Sequence, residues 1–317
     1  MAFSNTLTAY VDENSREFLS LAVTGSKTGK YCKWQPGVKL TAALQLLETD
    51  AVFQANTSCG FNASGTTAIT QRTLTVAPTK VQETLCEKDL NAYWTQHLLA
   101  TGSFGENAMD ETFVKAFMEL KSAKIAKQNE LAMWQGDTGS GTAYLARFNG
   151  WLKILEDLGF GGAGDPIKGN PTDITVATGV VAVNVIGIVD GIVDLIPEQL
   201  LDADDLFIGM GWDDFRTWQK AVKTANLFHY IADITPGEAI IPGTSIKVIA
   251  LPGITGTHRM VAGRWSNFYA GTDMMDEEDA ARLYYAPEAE TTRYSACWKL
   301  GVQIAFPAEV VYFDLVP

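Results

Sequence analysis

The sequence predicts an α+β fold with elongated parts, on three observations. A two-stranded ribbon of period-two residues comes first, a helix of about 25 residues occupies the middle, and residues 294–306 alternate without a break near the C-terminus. A helix of that length spans ~37 Å and a strand of thirteen residues ~43 Å, both beyond the average for a compact domain.

The ribbon begins where Val38, Leu40, Ala42, Leu44 and Leu46 alternate with Lys39, Thr41, Ala43 and Gln45. After the turn-rich CGFNASGTT, residues 59–67, comes AITQRTLTVAP, rich in β-branched threonine. This second arm is polar on both faces. A two-stranded ribbon without a core is marginal in water, so it must rest on something else.

The long helix lies in MDETFVKAFMELKSAKIAKQNELAMWQGD, residues 109–137. Asp110 and Glu111 suit a helix N-terminus, Phe113, Phe117, Leu120, Ala123, Leu131 and Trp134 mark its apolar stripe, and Gly136 ends it. A shorter helix follows in NGWLKILEDL, with Trp151, Leu152, Leu155 and Leu158 at helical spacing. Residues 174–196, ITVATGVVAVNVIGIVDGIVDLI, are uncharged only from Ile174 to Val189, too short to span a membrane as a helix. Val181, Val185, Ile188, Ile192 and Leu195 form one stripe, with Gly187, Asp190, Gly191 and Asp194 opposite, so the segment is expected as a buried helix stopped before Pro197. DDLFIGMGWDDFRTWQKAVKTA then reads as a buried strand leading into a helix with Trp212, Phe215, Trp218 and Val222 on one side. Strands follow in SIKVIAL, HRMVAGRW and FYAGTD.

Four spellings that suggest chemistry fail on context. DLGFGGAGDP places Gly159, Gly161 and Gly164 as G-x-G-x-x-G, but a dinucleotide turn needs a strand before it and a helix after it. Here a helix precedes and Asp165-Pro166 follows, so Gly159, Gly161, Gly162 and Gly164 read as a hinge between two units. WQGDTGS contains the aspartic-protease triplet at Asp137, yet a helix leads into it and the chain has no second triplet to share a proton. GSKTGKYC, residues 25–32, lacks the first glycine of a phosphate loop, where Thr24 stands, and its last Ser/Thr, where Tyr31 stands. His97, His229 and His258 are far apart in sequence, and Cys32, Cys59, Cys86 and Cys297 form no C-x-x-C pair. No catalytic, cofactor-binding or metal-ligating set is assigned. An enzyme acting through Gly159–Gly164 or Asp137 is the disfavoured alternative, because acid, base and nucleophile nowhere converge.

The net charge of −13 is uneven: residues 1–150 carry 13 basic and 14 acidic side chains, residues 151–317 carry 11 and 23. Phosphate binding depends on Lys and Arg, so the C-terminal portion is unsuited to holding nucleic acid. Between Glu17 and Glu48, Lys27, Lys30, Lys33 and Lys39 stand without any acid, as a solvated arm or one lying against an acidic neighbour. The first residues show neither the basic start nor the apolar run of a secretory signal, which predicts a reducing compartment.

NELAMWQGD, LARFNGWLKIL, PGTSIKVIALPGITGTHRMVAGRWSNFYAGTD and YSACWKLGVQIAFPAEVVYF together resemble the major capsid proteins of tailed bacteriophages, the Hong Kong 97-type fold. The resemblance covers most of residues 38–315. It implies an N-terminal arm at 1–37, an extended β-hairpin loop at 38–78, a peripheral domain at 79–150 with a spine helix at 110–135, an axial domain at 151–265, and a return to the peripheral domain at 266–317. It further implies self-assembly through hexamers and pentamers into an icosahedral shell around DNA held without sequence-specific contact, in a virion assembled in the host bacterial cytoplasm, with an encapsulin-like cage as the alternative. Lys27, Lys30, Lys33, Lys39, Phe61, Asn62 and Arg72 are the expected inter-subunit contacts. A separate scaffolding protein is expected, since Gly25, Gly29, Pro36 and Gly37 disfavour a long scaffolding helix before the ribbon. A portal and decoration proteins complete the expected partners; no membrane and no cofactor are expected.

Overall fold

A computed structural model describes residues 25–55, 63–86, 111–162, 164–170, 174–226, 235–273, 281–289 and 291–315. They build two bodies and a ribbon.

The first body forms around helix α1, Glu111–Gln135, and helix α2, Trp151–Leu158. Trp134 and Trp151 meet edge to face at 4.9 Å between ring centroids, and both contact Phe268, a fully buried aromatic cluster at the junction of the two helices. The helices cover a five-stranded sheet of β1 (Lys33–Gln35), β4 (Ala77–Leu85), β10 (Phe268–Thr272), β11 (Ala281–Ala286) and β12 (Thr291–Ile304). Strands β4 and β11 both pair with residues 292–296 of β12, so they must lie on its opposite edges. Along β12 every second residue, Thr292, Tyr294, Ala296, Trp298 and Leu300, is buried, as the alternation predicts. The strand stops two residues earlier than the alternation does. Asn267 accepts the Phe306 N–H at 2.6 Å and donates to the Phe306 carbonyl at 2.7 Å, which takes those groups out of the ladder.

The second body is a six-stranded sheet in the order β5-β13-β9-β6-β8-β7, made from Ile167–Lys168, Val311–Phe313, Met260–Arg264, Leu206–Met210, Lys247–Ala250 and Glu238–Ile240 respectively. All five residues of β6 are buried, and helix α4, Trp212–Thr224, follows it with Phe215, Trp218 and Val222 inside, as the sequence indicates. Helix α3, Val185–Leu195, packs in the same core through Val185, Ile188, Val189 and Ile192.

Helix α3 corrects an expectation, being half the length that the stripe over 174–196 suggests. Gly179 has a φ of +62°, and Asn184 turns back to accept the Val181 N–H at 2.9 Å and donate to the Gly179 carbonyl at 2.8 Å. A local side-chain alternative to helical bonding thus wins in a stretch of β-branched residues. Val181, expected on the buried stripe, is exposed.

Strand β1 binds residues 33–35 to the first sheet, and β13 carries the C-terminal segment into the second sheet. The ribbon is β2, Thr41–Thr49, antiparallel to β3, Thr67–Thr75, in the predicted pairing.

Candidate functional site

The ribbon leaves the first body at a root where Val38, Leu44, Leu74 and Val76 form a small buried cluster. The Val38 N–H donates to the Thr272 carbonyl at 3.1 Å and Gln303 donates to the Thr73 carbonyl at 2.8 Å. Close approach here requires glycine. A Cβ on Gly301 would lie 2.0 Å from the Thr75 carbonyl oxygen, and one on Gly271 would lie 2.8 Å from the Leu74 side chain. Leu44 and Leu74 thereby find a core at the base of the ribbon, and Leu46 farther out is buried as well.

Toward the far end, Leu47 and Ile69 are cross-strand partners and remain 63% and 67% exposed, with the Phe53 side chain fully exposed beyond them. An apolar pair on an otherwise polar ribbon face is unsatisfied surface. Arg72 lies nearer the root, opposite Leu44 and half-buried, and burial lowers its pKa. Phe61 and Asn62 lie outside the described residues.

The basic segment divides. Lys30 and Lys39 are exposed, and Lys33 donates to the Tyr269 hydroxyl at 3.0 Å above the Tyr269 ring. Lys27 corrects the picture of a cation waiting for a neighbour. Its Nζ donates to the carbonyls of Gly237 at 3.1 Å and Ala250 at 2.9 Å and stands over Trp212, with burial lowering its pKa against the pull of Glu238 and Glu130. The same segment explains the half-formed phosphate-loop spelling. The Thr28 N–H donates at 2.9 Å to Glu130, the Thr28 hydroxyl donates to the same carboxylate, and Trp134 donates to the Thr28 hydroxyl at 2.8 Å. The loop amide therefore holds an anion of its own chain, on helix α1. Burial raises the Glu130 pKa, although the Thr28 hydrogen bonds oppose it.

The glycine run connects α2 in the first body to β5 in the second. Gly159, Gly161 and Gly164 have positive φ, and no neighbouring atom stands where their Cβ would be, so the need is conformational rather than steric. Gly162 donates to Asp165 at 2.7 Å. The order helix–glycines–strand reverses what a dinucleotide site requires. Beside the run, Phe160 stacks on Tyr312, while Arg259 pairs with Glu156 at 2.5 Å, tying the two bodies together.

Asp137 serves the turn after α1, its Oδ1 accepting the Gly139 N–H at 2.8 Å in an Asx-type turn. His97 and His229 lie outside the described residues. His258 is brought by the fold to Asp213 and Asp214, its Nδ1 2.8 Å from Asp214 Oδ1. Burial raises the Asp214 pKa, and its hydrogen bond to Asp214 raises that of His258. This grouping is hidden in the sequence because its members stand 44 positions apart; the adjacent acids at the start of a helix are its trace there.

No family model and no curated protein sequence matches the chain. Solved structures do. A chain of the procapsid of satellite phage P4, which includes the size determination (Sid) protein, aligns over 96% of this chain and 98% of its own, with a TM-score of 0.60 and 11% identity. A structure from Gordonia phage Cozz aligns over 92% and 87%, with a TM-score of 0.57 and 12% identity. The cyanophage A-1(L) capsid aligns over 95% and 93%, with a TM-score of 0.56 and 12% identity. Chains of the P4 procapsid and of the cyanophage A-1(L) capsid, which share almost no sequence with this one, thus have its fold.

Proposed function

We propose that the chain is a structural subunit that self-assembles into the icosahedral capsid of a tailed bacteriophage, enclosing the DNA genome. The observation that carries this is the extent of the likeness to the P4 procapsid chain, nearly complete in both directions. The exposed Leu47–Ile69 pair and Phe53 support the reading, because apolar surface presented on a thin projecting ribbon marks a place for a neighbour to cover.

In this reading the body around α1 is the peripheral domain, the six-stranded body is the axial domain, and the ribbon is the extended loop laid on an adjacent subunit in hexamers and pentamers. Lys30, Lys33, Lys39, Phe61, Asn62 and Arg72 are the proposed inter-subunit contacts. The run at 159–164 is the hinge between the domains. A scaffolding protein and a portal act on the assembling shell, decoration proteins bind its surface, and the packaged DNA is met without sequence-specific contact. Negative-stain electron microscopy of the purified protein tests the proposal. Shells, tubes or capsomer rings support it; a uniform monomer or dimer under all assembly conditions overturns it.

A further inference from the structure

The start of α4 carries a cluster of ligand-type side chains away from the ribbon. Asp213 and Asp214 occupy the first turn of that helix, and the loop after Ile254 brings His258 over them, so that one ligand-type atom from each lies within 4.8 Å of the others. Acids in a first helical turn ordinarily turn back to cap the backbone amides. These do not. Gly211 at the cap makes no side-chain hydrogen bond, Trp212 N–H donates to Thr255 at 3.2 Å, and Asp213 Oδ2 accepts the Gly256 N–H from the loop at 3.1 Å. Two carboxylate oxygens are left over. Asp214 Oδ2, on a side chain only 2% exposed, and Asp213 Oδ1 are both shielded from solvent and have no hydrogen-bond partner among the described residues. Buried unpaired carboxylate oxygens cost free energy unless a donor or a cation meets them. Gly211 also leaves room at this point, since a Cβ there would come within 2.5 Å of Asp213 Oδ1.

We propose that Asp213, Asp214 and His258 bind a divalent transition-metal ion of the zinc type, which fastens the 255–259 loop to the N-terminus of α4. One imidazole nitrogen with two carboxylates is a donor set suited to such an ion, whereas calcium prefers six to eight oxygens. Protein ligands to three positions leave the remainder to water. The ion takes one oxygen from each carboxylate and one ring nitrogen of His258, and a proton on that nitrogen leaves to solvent or to the other ring nitrogen as the ring becomes a neutral ligand.

The site lies within one subunit, so its test is independent of assembly and uses the unassembled full-length chain. Equilibrium dialysis against Zn²⁺, with Ca²⁺ in a parallel experiment, should find one zinc per chain that is lost in Asp214→Asn and in His258→Gln, with calcium bound at least tenfold more weakly. Thermal unfolding should show zinc raising the midpoint of the parent and not of the variants. Asp213→Asn, at a partly exposed position, serves as the variant if Asp214→Asn does not fold, and should weaken zinc at least tenfold. Cobalt(II) provides the spectroscopic arm: its spectrum should lack thiolate charge-transfer bands, which distinguishes this site from the cysteines. Absence of stoichiometric zinc, zinc binding unchanged in the three variants, or a thiolate spectrum would each overturn the proposal.

Discussion

Thr28 shows how much one residue near the start of the described chain can hold. It bonds Glu130 twice and receives Trp134, so it ties the basic segment to α1 at a site with almost no solvent. Thr28→Val keeps the volume and the backbone bond to Glu130 but removes the hydroxyl bond to that carboxylate and leaves the Trp134 indole N–H without its acceptor, and should cost about 1–3 kcal/mol in urea unfolding. Asp205 supplies a pH dependence with a defined sign. Burial would raise its pKa, but hydrogen bonds from Ser266 and the nearby Arg264 outweigh it and hold the carboxyl below its ordinary value. Its contribution is therefore present above the unfolded-state pKa of ~3.9 and is lost as pH falls through the lower folded value. The stability gap between the parent and Asp205→Asn should be widest near neutrality and close in that acid window, as measured by denaturation at a series of pH values. Asp137→Asn, by contrast, should leave folding and assembly unchanged, because asparagine makes the same Asx turn through its side-chain oxygen; a lost assembly phenotype in microscopy would contradict that assignment.

At the scale of the element, the ribbon root decides whether β2 and β3 are an orderly projection or a loose strand pair. Gly301→Ala puts a methyl group into the Thr75 carbonyl, which the backbone can escape only by moving the root off the sheet. A destabilisation of roughly 1–3 kcal/mol is expected, with faster amide exchange in residues 72–78 than in the parent. Unchanged exchange there would mean that the root is not seated on Gly301. The long strand was legible because burial along it follows a single period, as Tyr294 to Leu300 show. The long helix was legible in its length, but its buried face was not: among the described residues of the expected stripe only Trp134 is buried, Leu120 and Ala123 are exposed, and Met118, Ser122, Ile125, Asn129, Glu130 and Met133 lie inside, because Glu130 is drawn in by its hydrogen bonds to Thr28. Residues 174–184 were not legible, because a hydrophobic stripe reports burial of a face only if the segment is helical, and Gly179 with Asn184 removes that premise.

For the molecule as a whole, the proposed assembly makes the exposed Leu47–Ile69 pair a surface for a neighbouring subunit to cover. Replacing both by serine should leave the monomer's stability within about 0.5 kcal/mol, as exposed substitutions usually do, and should abolish or greatly slow shell formation measured by light scattering. Normal assembly kinetics in the double variant would remove the ribbon from the proposed contact. Deleting residues 60–66 addresses the tip in the same way, with a folded, soluble and non-assembling protein as the expected result.

The sequence by itself determined the elements whose signal is local: the alternation of the ribbon and of residues 294–304, the helix at 111–135, the buried strand and helix from Leu206 to Thr224, and the failure of the glycine run as a nucleotide turn. Each depends on neighbours within a few residues, and so can be read from spacing alone. The tertiary structure decided what depends on residues far apart in the chain. Lys27 meets Gly237 and Ala250, Glu130 meets Thr28, and His258 meets Asp214. In each case a polar group is drawn out of water and matched by a partner that only the folded chain brings within hydrogen-bonding distance. Nothing in the spacing of residues along a sequence records which desolvated group will need which partner.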